Sequence, residues 1–485
     1  MPNDILGESA PTLNSVEVSL YEVRKKLYPR SVSGIFSRWR IAFVIFTQIL
    51  FYGLPWLSWN GRQAVLFDLI SRKFYIFGLV LWPQDVIYLT LLLIISAFSL
   101  FLFTAIAGRL FCGYACPQTV YTQIFSWVER QIEGDRFARI RLDAESWLWN
   151  LRKIRIKSIK HFIWLVIAFW TGFTFIGYFT PIETLGAAIL HLSLGPWQTF
   201  WLCFYSFMTW GNAGFLREQV CKYMCPYARF QSVMVDKDTF VVTYDKTRGD
   251  PRGSRSKSED HKVKGLGDCV DCSICVQVCP TGIDIRDGLQ YMCIGCGACI
   301  DACDQVMEKV DYPKGLIRYT SERAILEKLD SKKAKDYILR PRVLVYIGIM
   351  ALLFIGFALS IYMRNPVRMD ILRDRGALAR EVDGSMIENI YRLQFMNSSE
   401  GSLLLNLRVE GIPNIQILDS QGNDISEIRV NASSNLLIPI KLRVPMDEFK
   451  AGIYPINLKV SGTEFGVHVT DKIRPVEEKS RFVIP

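Results

Sequence analysis

The chain has 485 residues, half of them apolar, and a formal net charge of +10. That length allows several domains, and a mean hydropathy of +0.18 is out of character for a wholly soluble protein. The positive balance does not argue for nucleic acid, because no RNA- or DNA-binding module is present and cationic loops beside membrane segments account for it.

The first 40 residues are polar and carry Lys25, Lys26, Arg30, Arg38 and Arg40. They hold no apolar core next to a small-residue cleavage site, so we expect no removable signal peptide and read 1–40 as a cytoplasmic arm. Uncharged apolar windows then recur near 41–59, 86–107, 162–180, 195–213 and 343–363, each long enough for a hydrocarbon core of about 30 Å. Five transmembrane helices are predicted. Lys and Arg crowd 109–160 and 217–342 and are absent from 180–197, which puts the N terminus inside and everything after Met363 outside.

Between the first two windows, "NGRQAVLFDLISRKFYIFGLVLWPQ" (60–84) reads as an outer re-entrant or interfacial segment, with Tyr75 and Trp82 as headgroup anchors. Between the second and third, 136–162 places Trp147, Leu148, Leu151 and Ile154 at helical spacing among cations, the pattern of an amphipathic helix on the inner leaflet or of a solvated connector. The polar, Gly-, Pro- and Ser-bearing run 236–264 reads as a linker. Beyond the last window, short alternating runs such as "GSLLLNLRVEG" and "NLLIPIKLRVP" suggest an antiparallel sandwich of immunoglobulin type. The fold class is a polytopic α-helical membrane protein with a C-terminal all-β immunoglobulin-like domain and, between the two, a segment whose cysteine spacing, set out next, is that of a bacterial-type two-cluster ferredoxin domain. Its expected segments are 1–40 arm, 41–235 membrane domain, 236–264 linker, 265–310 ferredoxin domain, 311–342 connector, 343–363 fifth helix and 364–485 periplasmic domain.

None of the thirteen cysteines lies in that last domain, which argues for metal or redox use over a disulfide framework. "CVDCSICVQVCP" supplies Cys269, Cys272, Cys275 and Cys279, and "CIGCGACIDACD" supplies Cys293, Cys296, Cys299 and Cys303. In this spacing three close thiolates hold one 4Fe-4S cluster and the fourth ligates the other cluster. The expected sets are Cys269, Cys272, Cys275 with Cys303, and Cys293, Cys296, Cys299 with Cys279. Zinc would want two separated pairs.

Two further pairs, Cys112/Cys116 in "FCGYACPQ" and Cys221/Cys225 in "VCKYMCPY", each end in Cys-Pro and follow an arginine, Arg109 or Arg217. On a helix each pair would share one face. The repetition suggests a duplicated two-helix unit whose four thiols bind one soft cation such as Cu(I), join an iron-sulfur centre, cycle through disulfides, or pack as apolar groups. Cys203 reads as a small buried hydrophobe. No Cys-x-x-Cys-His, no histidine pair midway through a membrane helix, no Gly-rich dinucleotide fingerprint and no Walker loop is present, so haem, NAD and ATP are not expected.

With these motifs the chain resembles the cytochrome c oxidase accessory protein family CcoG, also called FixG or RdxA. The resemblance rests on "RKFYIFGLVLWPQD" (72–85), "CGYACPQTVYTQIFSWVERQIEGDR" (112–136), "REQVCKYMCPYARFQSVM" (217–234) and "CIGCGACIDACDQVMEKVDYPKGLIRYTSE" (293–322). NapH- and NosR-type membrane ferredoxins are more distantly similar. The resemblance implies a bacterial inner-membrane protein with two 4Fe-4S clusters that serves assembly of the cbb-type oxidase by reducing Cu(II) to Cu(I). It makes Cys112, Cys116, Cys221 and Cys225 the candidate copper or redox thiols. Copper ion, oxidase subunits or copper chaperones, an unidentified electron donor and membrane lipids are the expected partners, nucleic acid is not, and self-association is compatible with it. The rival readings are a quinol-linked module feeding a periplasmic reductase, and a redox-sensing assembly scaffold.

Overall fold

The computed structural model describes residues 26–145, 150–255, 263–327, 339–373, 379–382, 386–446, 449–465 and 473–485. Four of its helices are long and apolar enough to cross a membrane: Ile35–Trp56, Pro83–Ala107, Leu151–Gly177 and Pro341–Tyr362. The first contains α1 (Ile35–Gly53), which buries no residue, as expected of a helix whose solvent is lipid. The second contains α2 (Val86–Ala107), followed by the short α3 (Leu110–Tyr114), then α4 (Pro117–Glu133) and α5 (Arg136–Ala144). Helix α6 (Leu151–Gly177) is the third, and α7 (Ile182–Leu190) is a short turn beyond it. The window 195–213 forms α8 (Pro196–Gly211), whose 16 residues rise only about 24 Å. It continues directly into a π-type turn, Asn212–Leu216. Helices α6 and α8 cross closely because Gly172 has no side chain: a Cβ there would lie 2.6 Å from Ser206 Oγ and 3.0 Å from the Leu202 carbonyl oxygen.

Two expectations for the membrane loops are corrected. Segment 60–84 is built of short strands and not of a re-entrant loop. It folds as β1 (Ser58–Trp59) paired with β2 (Arg62–Gln63), then the antiparallel meander β3 (Val65–Asp68), β4 (Lys73–Ile76) and β5 (Leu79–Leu81). Trp82 is buried beneath the Lys73 ammonium, 5.3 Å from the ring centre, so it anchors the meander and not the headgroups. The segment 136–162 is not one surface helix: α5 ends at Ala144, and Leu151 and Ile154 already belong to the long α6. Trp147 and Leu148 lie outside the described residues. Cys203 is also corrected, since it is exposed on the outer face of α8, where lipid supplies the apolar surroundings.

After α9 (Pro226–Met234), part of the expected linker is ordered. Strand β6 (Val241–Tyr244) runs into α10 (Lys246–Gly249) and pairs antiparallel with β7 (Ile317–Thr320), Val241 opposite Thr320 and Tyr244 opposite Ile317. This ribbon closes one side of the cysteine-rich module, which also holds α11 (Ile274–Gln277) and α12 (Ala298–Lys309). Asp301 of α12 ties the module to α1. Its carboxylate accepts from the backbone N–H groups of Phe36 (3.2 Å) and Ser37 (2.7 Å), an anion at a helix N-terminus. Gly34 precedes that turn because a Cβ there would sit 2.2 Å from Asp301 Cγ.

The C-terminal unit is a sandwich of two sheets. One has the order β12 (Gln416–Leu418), β14 (Asn435–Pro445), β10 (Met386–Asn397), β8 (Val367–Arg373), with β9 (Arg380–Val382) also on β10. The other has β13 (Glu427–Val430), β11 (Ser402–Glu410), β15 (Gly452–Phe465), β16 (Val476–Ile484). Inward residues such as Leu393, Phe395, Leu405, Leu442, Leu458 and Phe482 fill the space between them without a disulfide.

The sandwich is held to the meander by Asp85, whose carboxylate is almost wholly buried and takes Arg364 at 2.5 Å and Arg368 at 3.0 Å. Arg364 also donates to the Val80 carbonyl (2.8 Å) and to Ser398 (3.1 Å). An Asp85→Ala substitution strands the buried Arg364 charge, with an expected loss of about 3–5 kcal/mol. A lowered thermal midpoint and faster proteolysis between residues 363 and 367 are expected; melting and cleavage rates equal to wild type would show that the pair does not fasten the sandwich.

Candidate metal-sulfur site

The two cysteine combs have the same local backbone. Between the first three thiols of comb one, Asp271 and Ser273 adopt φ of 51° and 53°; between those of comb two, Gly295 and Gly297 adopt 63° and 71°. These left-handed residues turn successive thiols toward one side before α11 and α12 begin. Comb one pays for lacking glycine with side-chain support: Arg286 donates to Asp271 at 2.5 Å and also grips Asp284. Comb two needs glycine at 297 for space as well, because a Cβ would lie 2.7 Å from the Phe36 ring.

The fourth cysteine of each comb, one helical turn further on, faces the other comb's chamber. Cys269, Cys272, Cys275 and Cys303 line one chamber, walled by Val306, Met307, Leu316 and Ile317. Cys279, Cys293, Cys296 and Cys299 line a second, walled by Val242, Ile283, Ile285 and Ile294, with Cys275 at its border. Among the described residues no three His, Cys, Asp or Glu side chains converge on a single ion. Zinc would need four sulfurs about 2.3 Å from one point. Two apolar chambers with four spaced sulfurs each fit a cubane, whose irons sit at separate corners.

Burial pushes the Cys275 thiol up to about 11 and the Cys293 and Cys303 thiols to about 12. In the metal-free chain these thiols keep their protons at neutral pH, so loading metal must release them.

Of the other four thiols, Cys112 packs beside the second chamber. Neither pair rides on one continuous helix, contrary to expectation. Cys112 is the middle residue of α3 while Cys116 is the extended residue before Pro117 (ψ 126°); Cys221 sits in a π-type turn, Val220–Met224, while Cys225 is extended before Pro226 (ψ 110°). Proline excludes its predecessor from helical geometry, which breaks each helix between its two thiols. The repeat is nevertheless real in the backbone. Gly108 (φ 55°, ψ −119°) and Arg217 (φ 43°, ψ −112°) stand four residues before Cys112 and Cys221 in the same unusual conformation. Arg217 is thus the counterpart of Gly108, and its strain is held by Glu129 (2.8 Å), the Gly214 carbonyl (2.9 Å) and Gln118, which donates to its carbonyl (3.0 Å).

The pairs face each other closely enough to interact. Burial raises Cys112 to about 12, against Arg109 and with Cys116 and Cys221 as like charges; burial raises Cys221 to about 11, with Cys116 and Cys225 adding to it. Cys112 and Cys221 each lie within electrostatic reach of Cys116, and Cys221 of Cys225, but among the described residues no three of these thiols converge on one ion. Cys112 also belongs to the apolar cluster of Cys296, Ile294 and Ala298. Gly113 lies against the second comb: a Cβ there would be 2.8 Å from the Ile294 carbonyl oxygen and 3.1 Å from Cys296 Cα. Tyr114 donates to the Cys296 carbonyl (3.4 Å). Arg109 bridges both centres, donating to Gln231 Oε1 (2.6 Å) and to the Tyr291 and Cys293 carbonyls, while Cys112 Sγ contacts the same Gln231 oxygen at 3.5 Å.

Sequence reasoning missed the buried charges beneath this site. Glu129 pairs with Arg217 (2.8 Å), Arg139 (3.4 Å) and Lys160 (3.6 Å), and Glu133 with Lys157 (2.8 Å) and Lys160 (2.9 Å). Burial alone would raise Glu129, but Arg217, then Lys160 and Arg139, outweigh it and hold its carboxyl below the usual range. The signal was present: Glu129 and Glu133 are one turn apart on α4, and Lys153, Lys157 and Lys160 share a face of α6.

Apolar helices, paired four-cysteine chambers and a duplicated thiol motif define an iron-sulfur membrane oxidoreductase of the electron-transfer kind. Residues 216–322 match the family model of a 4Fe-4S dicluster domain, 89–133 that of a 4Fe-4S binding domain, and 357–485 that of the IG-like fold at the C-terminal of FixG. The chain belongs to the FixG/RdxA family: it is 37% identical to the nitrogen fixation protein FixG of Rhizobium meliloti over 90% of both chains. It is 37% identical to protein RdxA of Cereibacter sphaeroides over 88% of this chain and 91% of that one. A ferredoxin-type protein NapH of Haemophilus influenzae is 23% identical over 45% of this chain and 68% of its own.

Proposed function

We propose that the protein reduces Cu(II) to Cu(I) at the thiols of Cys112, Cys116, Cys221 and Cys225, supplying copper for assembly of a cbb-type oxidase. The observation that carries this reading is the abutment of Gly113 on the Ile294–Cys296 backbone, which leaves no side-chain layer between thiol motif and second chamber. Cys269, Cys272, Cys275 and Cys303 would hold one 4Fe-4S cluster, and Cys279, Cys293, Cys296 and Cys299 the other. When bound, such clusters supply one-electron storage within a protein wall. The chain's own residues do the rest: Gly113 and Tyr114 fix the separation, Arg109 orients Gln231 beside Cys112, and the apolar chamber walls exclude water. Each copper ion gains one electron; its ligand preference then moves from nitrogen and oxygen toward sulfur, so the quartet holds the product better than the substrate.

The protein would sit in the bacterial inner membrane with five crossings, α8 with its π extension being the fourth. The N terminus and the cysteine module would be cytoplasmic and the sandwich periplasmic, there to dock an oxidase subunit or a copper chaperone. A reporter fused after Pro485 should be active only outside the cytoplasm; cytoplasmic activity contradicts an odd number of crossings.

The decisive experiment reduces the anaerobic protein with dithionite, removes the excess, adds Cu(II), and follows Cu(I) with a chelator. A chain with Ser at 112, 116, 221 and 225 should lose Cu(I) production by about ten-fold or more while keeping its iron and sulfide. Equal copper reduction removes these thiols from the mechanism. The match of 89–133 to a 4Fe-4S binding family favours a second reading, a further cluster on the quartet; loss of iron in the four-serine chain would establish it.

A further inference from the structure

Reduction of copper needs a reductant, and one cleft has the position and lining to admit it. It measures about 610 Å³ and lies between α1, α4 and the cysteine module. Its mouth is formed by Ile41 and Ile45, each about half exposed (50% and 53%) on the helix that buries nothing, so it opens toward lipid. Its inner end is formed by Pro280 and Ile294, which also wall the second cysteine chamber, and by Cys221. A molecule in the cleft therefore borders Cys221 directly and is separated from the second chamber by residues that line both, Pro280 and Ile294.

The lining is not that of a plain acyl-chain groove. Arg40 lines it, and its buried Nε has no acceptor. Glu218, buried at 8% exposure, lines both this cleft and an adjoining one of about 410 Å³ that holds Glu129, Lys157, Lys160 and His161. The occupant thus enters from the bilayer, offers an oxygen to a cation, and has a carboxylate and a charged antechamber beside it for protons. Resting on the copper reading above, we propose that this cleft binds a membrane quinol as the two-electron donor. The quinol's two O–H bonds break, its two protons leave by way of Glu218 to the charged antechamber and water, and its two electrons convert two Cu(II) into two Cu(I). The quinone returns to the bilayer.

The test uses the full chain in nanodiscs and decylubiquinone as probe. Equilibrium dialysis without copper should show saturable binding of one quinone per chain. Ile45→Trp, which fills the mouth, and Arg40→Met, which removes the donor, should each weaken it by about ten-fold or more with iron and sulfide content unchanged. Anaerobic decylubiquinol should then yield two Cu(I) per quinol in the wild type. Absence of saturable binding overturns the proposal, as does equal competition by decanol or phospholipid, which would mark a lipid groove. Copper reduction by dithionite with no quinone binding refutes this cleft alone; quinone binding with no copper reduction by dithionite refutes the copper reading and leaves the cleft standing.

Discussion

A Cys279→Ala chain is expected to lose the metal-sulfur centre of the second chamber and keep that of the first. Cys279 belongs to comb one in sequence, yet it lines the chamber of Cys293, Cys296 and Cys299. Cys303 is its mirror, a comb-two residue lining the chamber of Cys269, Cys272 and Cys275. Iron and sulfide should fall by about half in either single variant, because each chamber is left with three of four thiolates. The sharper readout is identity. After dithionite, the paramagnetic signal lost in Cys279→Ala should be the one lost in Cys296→Ala, and the signal lost in Cys303→Ala the one lost in Cys272→Ala. If Cys279→Ala instead groups with Cys272→Ala, each comb serves its own chamber and the assignment fails.

That crossing was legible from spacing because it is a local consequence of geometry: three thiols within seven residues share one side, and the fourth, a helical turn on, cannot. The sandwich was legible for a similar reason, since the alternation of Leu405, Leu407 and Val409 with Asn406, Arg408 and Glu410 fixes which residues point inward. Other features depended on partners far along the chain. The pairing of Glu133 with Lys157 needs α4 and α6 docked, and neither residue alone separates a buried ion pair from a solvated face. The meander 65–81 is built from strands of three or four residues, too short for alternation to tell a strand from an interfacial loop. The helix breaks at Cys116 and Cys225 are a different case: the prolines that cause them are in the sequence, and an i, i+4 reading of each pair overlooked the constraint they impose.

On the proposed copper chemistry, Gly113→Ala is expected to slow Cu(I) production while leaving both cysteine chambers loaded. Within α3 the substitution is conformationally favourable, worth up to about 1 kcal/mol in helix propensity. Any loss must therefore come from contact. The added methyl meets the Ile294 carbonyl oxygen at 2.8 Å, Cys296 Cα at 3.1 Å and the Gly295 carbonyl oxygen at 3.1 Å, all backbone atoms that cannot rotate aside. The thiol motif or the comb must withdraw. The duplicated motif shows that its own turn does not demand glycine: Lys222, next to Cys221 as Gly113 is to Cys112, carries a full side chain. Glycine is required only in the copy that touches the chamber. Misplacing reacting groups by about 1 Å costs up to about 100-fold in rate, so a fall of ten-fold or more in dithionite-driven Cu(I) production is expected, with iron and sulfide content unchanged. Gly211→Ala, where nothing lies within 4 Å of the new Cβ, serves as the control and should reduce copper at the wild-type rate. Wild-type kinetics in Gly113→Ala would mean that this contact does not set the electron-transfer distance that the proposed copper reduction requires.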